Sequence, residues 1–533
     1  MLRLRRRRRL VTTTPDQQRE QRHLAERAGT GEAAPIAATP PSAAPEAPPL
    51  ERRAAWGVVA LGMVAFTVQL TRLAGDKARG LATEWSLDLA FFHNLVWNVV
   101  QGNGYRQSAS YHEPPGLFNE THFEPILLVA APFYALFPRV ETLFAVQAGL
   151  VALGAVGVYR LARSGGARPA FAAAGALVYL SWWPAWRMAL ADLRPLTFCI
   201  PFLLLTAAAL RERRLNEVLL WGLLACLCRE ELPVMVAGLG ATAFLWRGAD
   251  GEDRSQWRGL GVRLAGAALA FLAVTTALRS NATFYIRPDQ WLRELLSSEG
   301  QSQAEMWGRE PGEMLSIRLR FLGEWLLPAG AAALLAPELL LGVVPLFVYL
   351  FSQAHEWAGW EGPYIHHSAP AVAFIAAAAA LGLPRALGRI PDRRVRGVVA
   401  GVLLAVFFVG HRAILVDRFE RVVLAEVEPW RNQDDHVREA WRLRDLVPED
   451  ASVMTDYDTV HLFAGRDHVY CYQQEEIEPV WPPAEEPWVL LPPAHVQPDW
   501  ALVKREHGSW LERVRAAGLR EVDGGDTWVL FRR

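Results

Sequence analysis

EWSLDLAFFHNLVWNVVQGNGYRQSASYHEPPGLFNETHFEPILLVAAPFYALFP, residues Glu84–Pro138, follows directly on the first apolar run of membrane length. It mixes Glu84, Asp88, His93, His112, Glu113, Glu120, His122 and Glu124 with aromatic and aliphatic residues. Ionisable groups are expensive next to hydrocarbon unless they serve a wet site, so the stretch points to a site at a membrane surface.

Working outward, the composition asks for a bilayer. The chain has 533 residues, is 52% hydrophobic and still carries 21% charged residues, so the charges must be segregated. Apolar runs long enough to span hydrocarbon fall at roughly 56–74, 140–162, 169–186, 195–210, 215–228, 232–246, 259–279, 325–336, 338–353, 365–383 and 397–415. The expected fold is mainly α, a polytopic transmembrane bundle of about eleven spans. Pro337-Glu338 reads as a tight turn between two short spans, because proline and a charge in mid-membrane are both costly.

Residues 1–52, with LRLRRRRRL and an Ala/Pro-rich tract, read as a disordered cytoplasmic tail. VTTTPDQQREQRH stands where a signal peptide would need an apolar core, so cleavage is not expected. With the tail inside, alternation puts RSGGAR (163–168), RERR (211–214), 247–258 and 385–396 inside, and each is arginine-rich. The bundle then occupies 53–427, with large outer loops at 75–139 and 280–324. From residue 428 to 533, ASVMT, HVYCY, EPWVLL, DWALVK and DTWVLF alternate with the helical GSWLERVRAAG, which reads as a small extracytoplasmic α/β domain. The net charge of −1 gives no ground for a nucleic-acid partner, and none is expected. The four cysteines form no disulfide framework.

The unusual polar residues share the outer face. Asp88, in SLDLAFFHNLVW, suits an interfacial helix that turns a carboxylate toward a polar cavity, where it accepts a proton or binds a metal. His122 and Glu124, two apart before Pro125, share a face in extended chain; with Asp88 they form a candidate ligand set for a divalent cation, Mg or Mn. Asp192 and Arg194 mark one outer turn, and Arg229, Glu230 and Glu231 the next. Arginine there suits a phosphate, and internal pairing of Arg229 with an acid is the alternative. Tyr364, His366 and His367, near His355 and Glu356, form a further cluster able to position a headgroup; Glu84 and His93 complete the candidate substrate contacts. Asp456-Tyr-Asp458 resembles a nucleotide-sugar DxD but is discounted on the outer face.

SLDLAFFHNLVWNVVQGNGY, ETHFEPILLVAAPFYALFP, LFAVQAGLVALGAVGVYRLAR, CREELPVMVAGLG, YIHHSAPAVAFIAAAAALGL and VPEDASVMTDYDTVHLFAGRDHVY, in that order, resemble the prokaryotic membrane-protein family called domain of unknown function 2079. That family is in turn similar to GT-C glycosyltransferases, which use polyprenyl-phosphate-linked sugars and keep a catalytic acid in the first outer loop. The resemblance implies a GT-C-like bundle, Asp88 as the catalytic acid, His122 and Glu124 beside it, and a donor phosphate on Arg229 and Arg194. It also implies a bacterial inner-membrane enzyme acting on a glycan, lipid or protein acceptor. This chain departs from the family where DFHPE is replaced by DLRPL, and where Lys-Glu-Asp is replaced by Arg229-Glu230-Glu231. A lipid-linked-substrate flippase, or an inactive membrane partner of an envelope-polysaccharide system, is the alternative.

Overall fold

The computed structural model describes residues 48–83, 86–109, 122–246, 254–278, 316, 330–344, 366–472 and 498–533. Of the sequence candidates, Glu84, Tyr364 and nearly all of the 280–324 loop lie outside the described residues, as do His112, Glu113, Glu120, His355 and Glu356.

Among the described residues, five helices are long and apolar enough to cross a membrane: Pro49–Arg79, Val140–Ser164, Ser255–Ala277, Ala369–Gly388 and Arg393–His411. Four more expected spans are shorter apolar helices, Pro169–Ser181, Pro195–Arg211, Leu215–Cys226 and Leu232–Leu245. Proline explains one shortening. The expected span 169–186 ends at Ser181, and a new helix starts at Trp183 with Pro184 in its first turn, where a missing N–H costs little. Between the expected eighth and ninth spans, Gly330–Leu335 and Pro337–Val343 are 3-10 helices joined at Ala336, which Pro337 keeps out of the helical region. The count of eleven is therefore not established among the described residues. Glycine sets one close approach. A Cβ on Gly240 would lie 2.6 Å from the Gly261 carbonyl oxygen, so helices Leu232–Leu245 and Arg254–Leu278 meet backbone to backbone.

Charged side chains pair at and near the helix ends. At one end Arg160 pairs with Glu212 at 2.7 Å and Glu217 at 2.6 Å, Arg385 pairs with Glu338 at 2.6 Å, and Arg211 and Arg213 lie over the Trp257 ring. All lie in or beside the segments that the sequence reading assigns to one side. The candidate site residues gather at the other end.

There, among the described residues, lies a five-stranded sheet: β1 Val453–Asp456, β2 Val469–Tyr472, β3 Trp500–Lys504, β4 Arg520–Gly524 and β5 Trp528–Arg532, in the order β2-β1-β3-β5-β4. β1 pairs parallel with β2 and β3, whereas β5 pairs antiparallel with β3 and β4. Strand alternation gives the sheet two apolar faces. Met454, Ala501 and Val503 pack with Trp510 and Val514 of helix Gly508–Ala516. Val453, Leu502 and Leu530 pack with Leu443 on the other face, together with Ala90 and Ala109 from the 86–109 segment.

Helix Ser86–Val100 is thus shared by both regions. Leu89, Phe92, Leu95 and Val96 face the bundle, while Ala90 faces the sheet. Asn94, fully buried, donates to the carbonyls of Ala464 at 2.8 Å and Arg466 at 2.6 Å and accepts from the Ser108 N–H at 2.9 Å. His461 Nε2 lies 2.8 Å from the Ala78 carbonyl, which can only accept, so Nδ1 is the acceptor for the Ser86 hydroxyl at 2.5 Å. The C-terminal domain is therefore tied to the first span and to the loop that follows it. Asn94→Ala should strand two carbonyls and one amide, a loss of about 2–4 kcal/mol. Hydrogen exchange should accelerate over 464–472; unchanged exchange there would contradict this account of the docking.

Candidate functional site

The turn between helices Leu215–Cys226 and Leu232–Leu245 carries Arg229, Glu230 and Glu231, all buried. Arg229 has only donors, and this fixes its neighbours. Its Nη2 lies 2.6 Å from His122 Nε2 and its Nη1 lies 3.1 Å from His367 Nδ1, so both ring nitrogens must be unprotonated acceptors. His122 Nδ1 lies 2.8 Å from Glu230 Oε1 and 3.2 Å from Arg229 Nε, and a proton on Nδ1 serves the shorter contact, to Glu230. Glu230 Oε2 accepts the Phe123 N–H at 2.8 Å. Burial and the adjacent Arg229 hold His122 down at about 4, and His367 well below the usual imidazole range, so both rings are neutral.

The three acids around Arg229 differ. Burial pushes Glu230 up, but the His122 bond, Arg229 and the Phe123 N–H outweigh it and bring Glu230 down to about 2. Glu231 Oε2 lies 3.3 Å from Arg229 Nε, yet burial, aided by Glu230, raises it to about 7. Glu124 is buried, and its Oε2 has no hydrogen-bond partner among the described residues. Burial raises it to about 8, with Glu230 and Glu231 adding and Arg229 and Arg194 opposing. The group approaches neutrality by keeping protons on two of its carboxyls.

Asp88 lies in the first turn of helix Ser86–Val100, where the helix dipole favours a carboxylate, and forms an ion pair with Arg194 Nη1. The Arg194 side chain is 8% exposed and that of Asp88 is 40% exposed, so the pair has a buried cation and an open anion. Gln147, fully buried in helix Val140–Ser164, holds the Arg194 turn. Its Oε1 accepts the Arg194 N–H at 2.7 Å and its Nε2 donates to the Ala191 carbonyl at 2.6 Å. Asp88 and Arg194 belong to the same site as Arg229: Asp88 acts electrostatically on His122, and Arg194 on Glu124 and His367.

Asp192 takes part in a second buried network, 3.5 Å from Lys77, which also lies 3.6 Å from Glu426; Glu426 in turn is 3.6 Å from Arg187. His93 bonds Tyr134 at 2.8 Å beneath Gly465 of the C-terminal domain. His366 lies in the turn before helix Ala369–Gly388. Asp456 caps its own turn, accepting from Thr459 Oγ1 at 2.5 Å, and Asp458 pairs with Lys504 at 2.5 Å, which suits a structural DYD. Burial, with Asp458 beside it, raises Asp456 to about 7.

Sequence reasoning missed Lys77, Gln147, Glu426 and Tyr457. Tyr457 stands on the loop after β1, close enough to Asp88 and Arg194 to feel both charges. Lys77 carried a signal: it and Lys504 are the only lysines in an arginine-rich chain. Among the described residues no three His, Cys, Asp or Glu side chains gather as a metal site. The expected ligand set of Asp88, His122 and Glu124 is corrected accordingly. Asp88 faces Arg194, and His122 spends both ring nitrogens on Glu230 and Arg229, so these residues do not fit a divalent ion in this arrangement.

Above pH about 6.5 the neutral histidines contribute no titration, and the raised carboxyls dominate. Folded Glu124 holds a proton that the unfolded chain has released, so its contribution to stability is lost as pH rises through about 8, while the depressed histidines act in the opposite sense below about 6.5. Glu231 and Asp456, at about 7, act in the same sense at the lower end. Melting temperature should therefore drop between pH 6.5 and 9 (roughly). Glu124→Gln should shrink the drop; an equal drop in the variant would contradict the protonated state of Glu124.

The family described as "Predicted membrane protein (DUF2079)" matches residues 83–519, and the chain belongs to it. No curated protein matches the sequence. Among solved structures, ArnT from Cupriavidus metallidurans bound to undecaprenyl phosphate is similar at 13% identity and a TM-score of 0.46, over 89% of this chain and 98% of that one. The Archaeoglobus fulgidus oligosaccharyltransferase complex with Zn and sulfate is similar at 12% identity and a TM-score of 0.36, over 76% of this chain and 62% of that one. At that overlap neither likeness speaks to activity.

Proposed function

We propose that this member of the DUF2079 family is a membrane glycosyltransferase of GT-C type. It moves a sugar from a polyprenyl-phosphate donor to a glycan, lipid or protein acceptor at the outer face of the bacterial inner membrane. In this reading the N-terminus is cytoplasmic and the C-terminal domain lies outside. One observation carries the proposal: an open carboxylate, Asp88, paired with a buried arginine, Arg194, at the junction of an apolar bundle and a polar domain.

The pair holds the two groups such a transfer needs. The bond between the anomeric carbon and the phosphate oxygen breaks, and its electrons leave with the polyprenyl phosphate. Arg194 offers a planar fork to the growing charge on that phosphate. The acceptor hydroxyl attacks the anomeric carbon and gives its proton to Asp88. The pair also explains how Asp88 is kept from acting early. Without donor it is held by Arg194, and an arriving phosphate competes for the guanidinium and frees the carboxylate. Arg229 is engaged by two imidazoles and Glu231, so its role is to shape the pocket wall and supply background positive charge. His122 and Glu124 support that wall, with Glu124 protonated.

Membranes with wild-type or Asp88→Asn protein should be incubated with labelled polyprenyl-phosphate sugars of several kinds. Wild type should consume a donor and the variant should lose about 10²–10⁴-fold in rate, at equal expression. Equal consumption by the two forms would sink the role of Asp88. Movement of labelled lipid between leaflets with the sugar linkage intact would replace the enzyme reading with a flippase.

A further inference from the structure

Helix Pro49–Arg79 presents a second polar feature, on its lipid side. Thr67, Thr71, Arg72, Gly75 and Arg79 line a groove of about 310 Å³ against Glu141 and Ala145 of helix Val140–Ser164. Arg79 is held by Glu141, by Asp76 at 3.3 Å and by the Trp430 ring at 5.6 Å. Arg72 is different: exposed, it makes no hydrogen bond or ion pair among the described residues. Beside it, the Thr71 hydroxyl is buried and has no partner among the described residues.

Depth says what such an arginine meets. Arg53 is exposed at the start of the same helix, and nineteen residues at about 1.5 Å each put Arg72 about 28 Å further along. That is close to the hydrocarbon thickness of about 30 Å, so the two arginines bracket the apolar layer and Arg72 lies at the phosphate level of the far leaflet. Leu61, Val64 and Val68, each 60–71% exposed, continue the face below the groove toward mid-membrane. Arg79 is answered by Glu141 and Asp76, so among the described residues Arg72 keeps an unpaired positive charge in the groove, above an apolar track.

We propose that this groove binds the headgroup phosphate of an anionic bilayer phospholipid, with Arg72 as its ion-pair partner, the Thr71 hydroxyl as a donor, and an acyl chain along Val64 and Leu61. The site is independent of the glycosyl-transfer reading, since Lys77 and Asp192 stand on the opposite, buried side of the helix.

The full-length protein, reconstituted in phosphatidylglycerol nanodiscs and released into mild detergent, is weighed by native mass spectrometry. Wild type should keep a bound phosphatidylglycerol. Arg72→Gln should reduce retention about five- to tenfold, the loss of one charge-assisted contact, while Arg53→Gln should retain as wild type does. Thr71→Val, which keeps shape and charge, should weaken retention and supplies the test if Arg72→Gln fails to fold. Equal retention by wild type, Arg72→Gln and Thr71→Val would overturn the proposal, and so would an equal loss in Arg53→Gln. Retention of phosphatidylcholine as firmly as phosphatidylglycerol would also overturn it.

Discussion

Arg229 is the constraint on which the rest of the site depends. A guanidinium that is only 2% exposed cannot be left without acceptors, and it recruits them from two distant segments and its own turn: His122 from the long loop before Pro125, His367 before a late apolar helix, and its neighbour Glu231. Because it can only donate, it sets the tautomer of both histidines, and through His122 it fixes the ionised Glu230. Glu230 then anchors the Phe123 amide and so the loop itself. The like charges that remain are relieved by protons on Glu124 and Glu231.

A second, separate framework holds the rim. Gln147 pins the Arg194 turn from a buried position in a span, and the Lys77–Asp192–Glu426 group fastens the back of that turn to the first helix and to helix Ala425–Arg431. The C-terminal domain closes over this end through Asn94, His461 and the Trp441 Nε1–H bond to the Arg79 carbonyl at 2.9 Å. Asp88 stands where the two frameworks meet, on a helix that packs one face into the bundle and another into the sheet. Its exposure is a product of that position: it is held by a rigid cation and still open to whatever enters between the domains.

Much of this was legible in the sequence because it follows from local chemistry. Arginine-rich loops at alternate intervals singled out the polar turns, and charged pairs such as Arg160–Glu212 and Arg385–Glu338 lie at or near them. Period-two runs found four of the five strands among the described residues, with EPWVLL lying outside them; β4, with its charged REVDG, lacks an apolar run and was missed because it is mostly exposed. Span lengths were not legible where proline cut them, at Trp182 and Ala336. Residue types singled out these side chains, but not their pairings. Nothing local in ETHFEP says that His122 serves Arg229 and Glu230 rather than a metal, and nothing local links Lys77 to Glu426. Those choices are made by packing across hundreds of residues.

The central claim is that Arg194 is shared between Asp88 and a phosphate, and binding without turnover tests it most directly. A short-chain polyprenyl phosphate lacking sugar should be titrated into wild type, Asp88→Asn and Arg194→Gln. If the two compete, Asp88→Asn should bind about tenfold more tightly than wild type, since removing the carboxylate releases the guanidinium, and Arg194→Gln should bind far more weakly. Equal affinity across the three proteins, or weaker binding by Asp88→Asn, would contradict it.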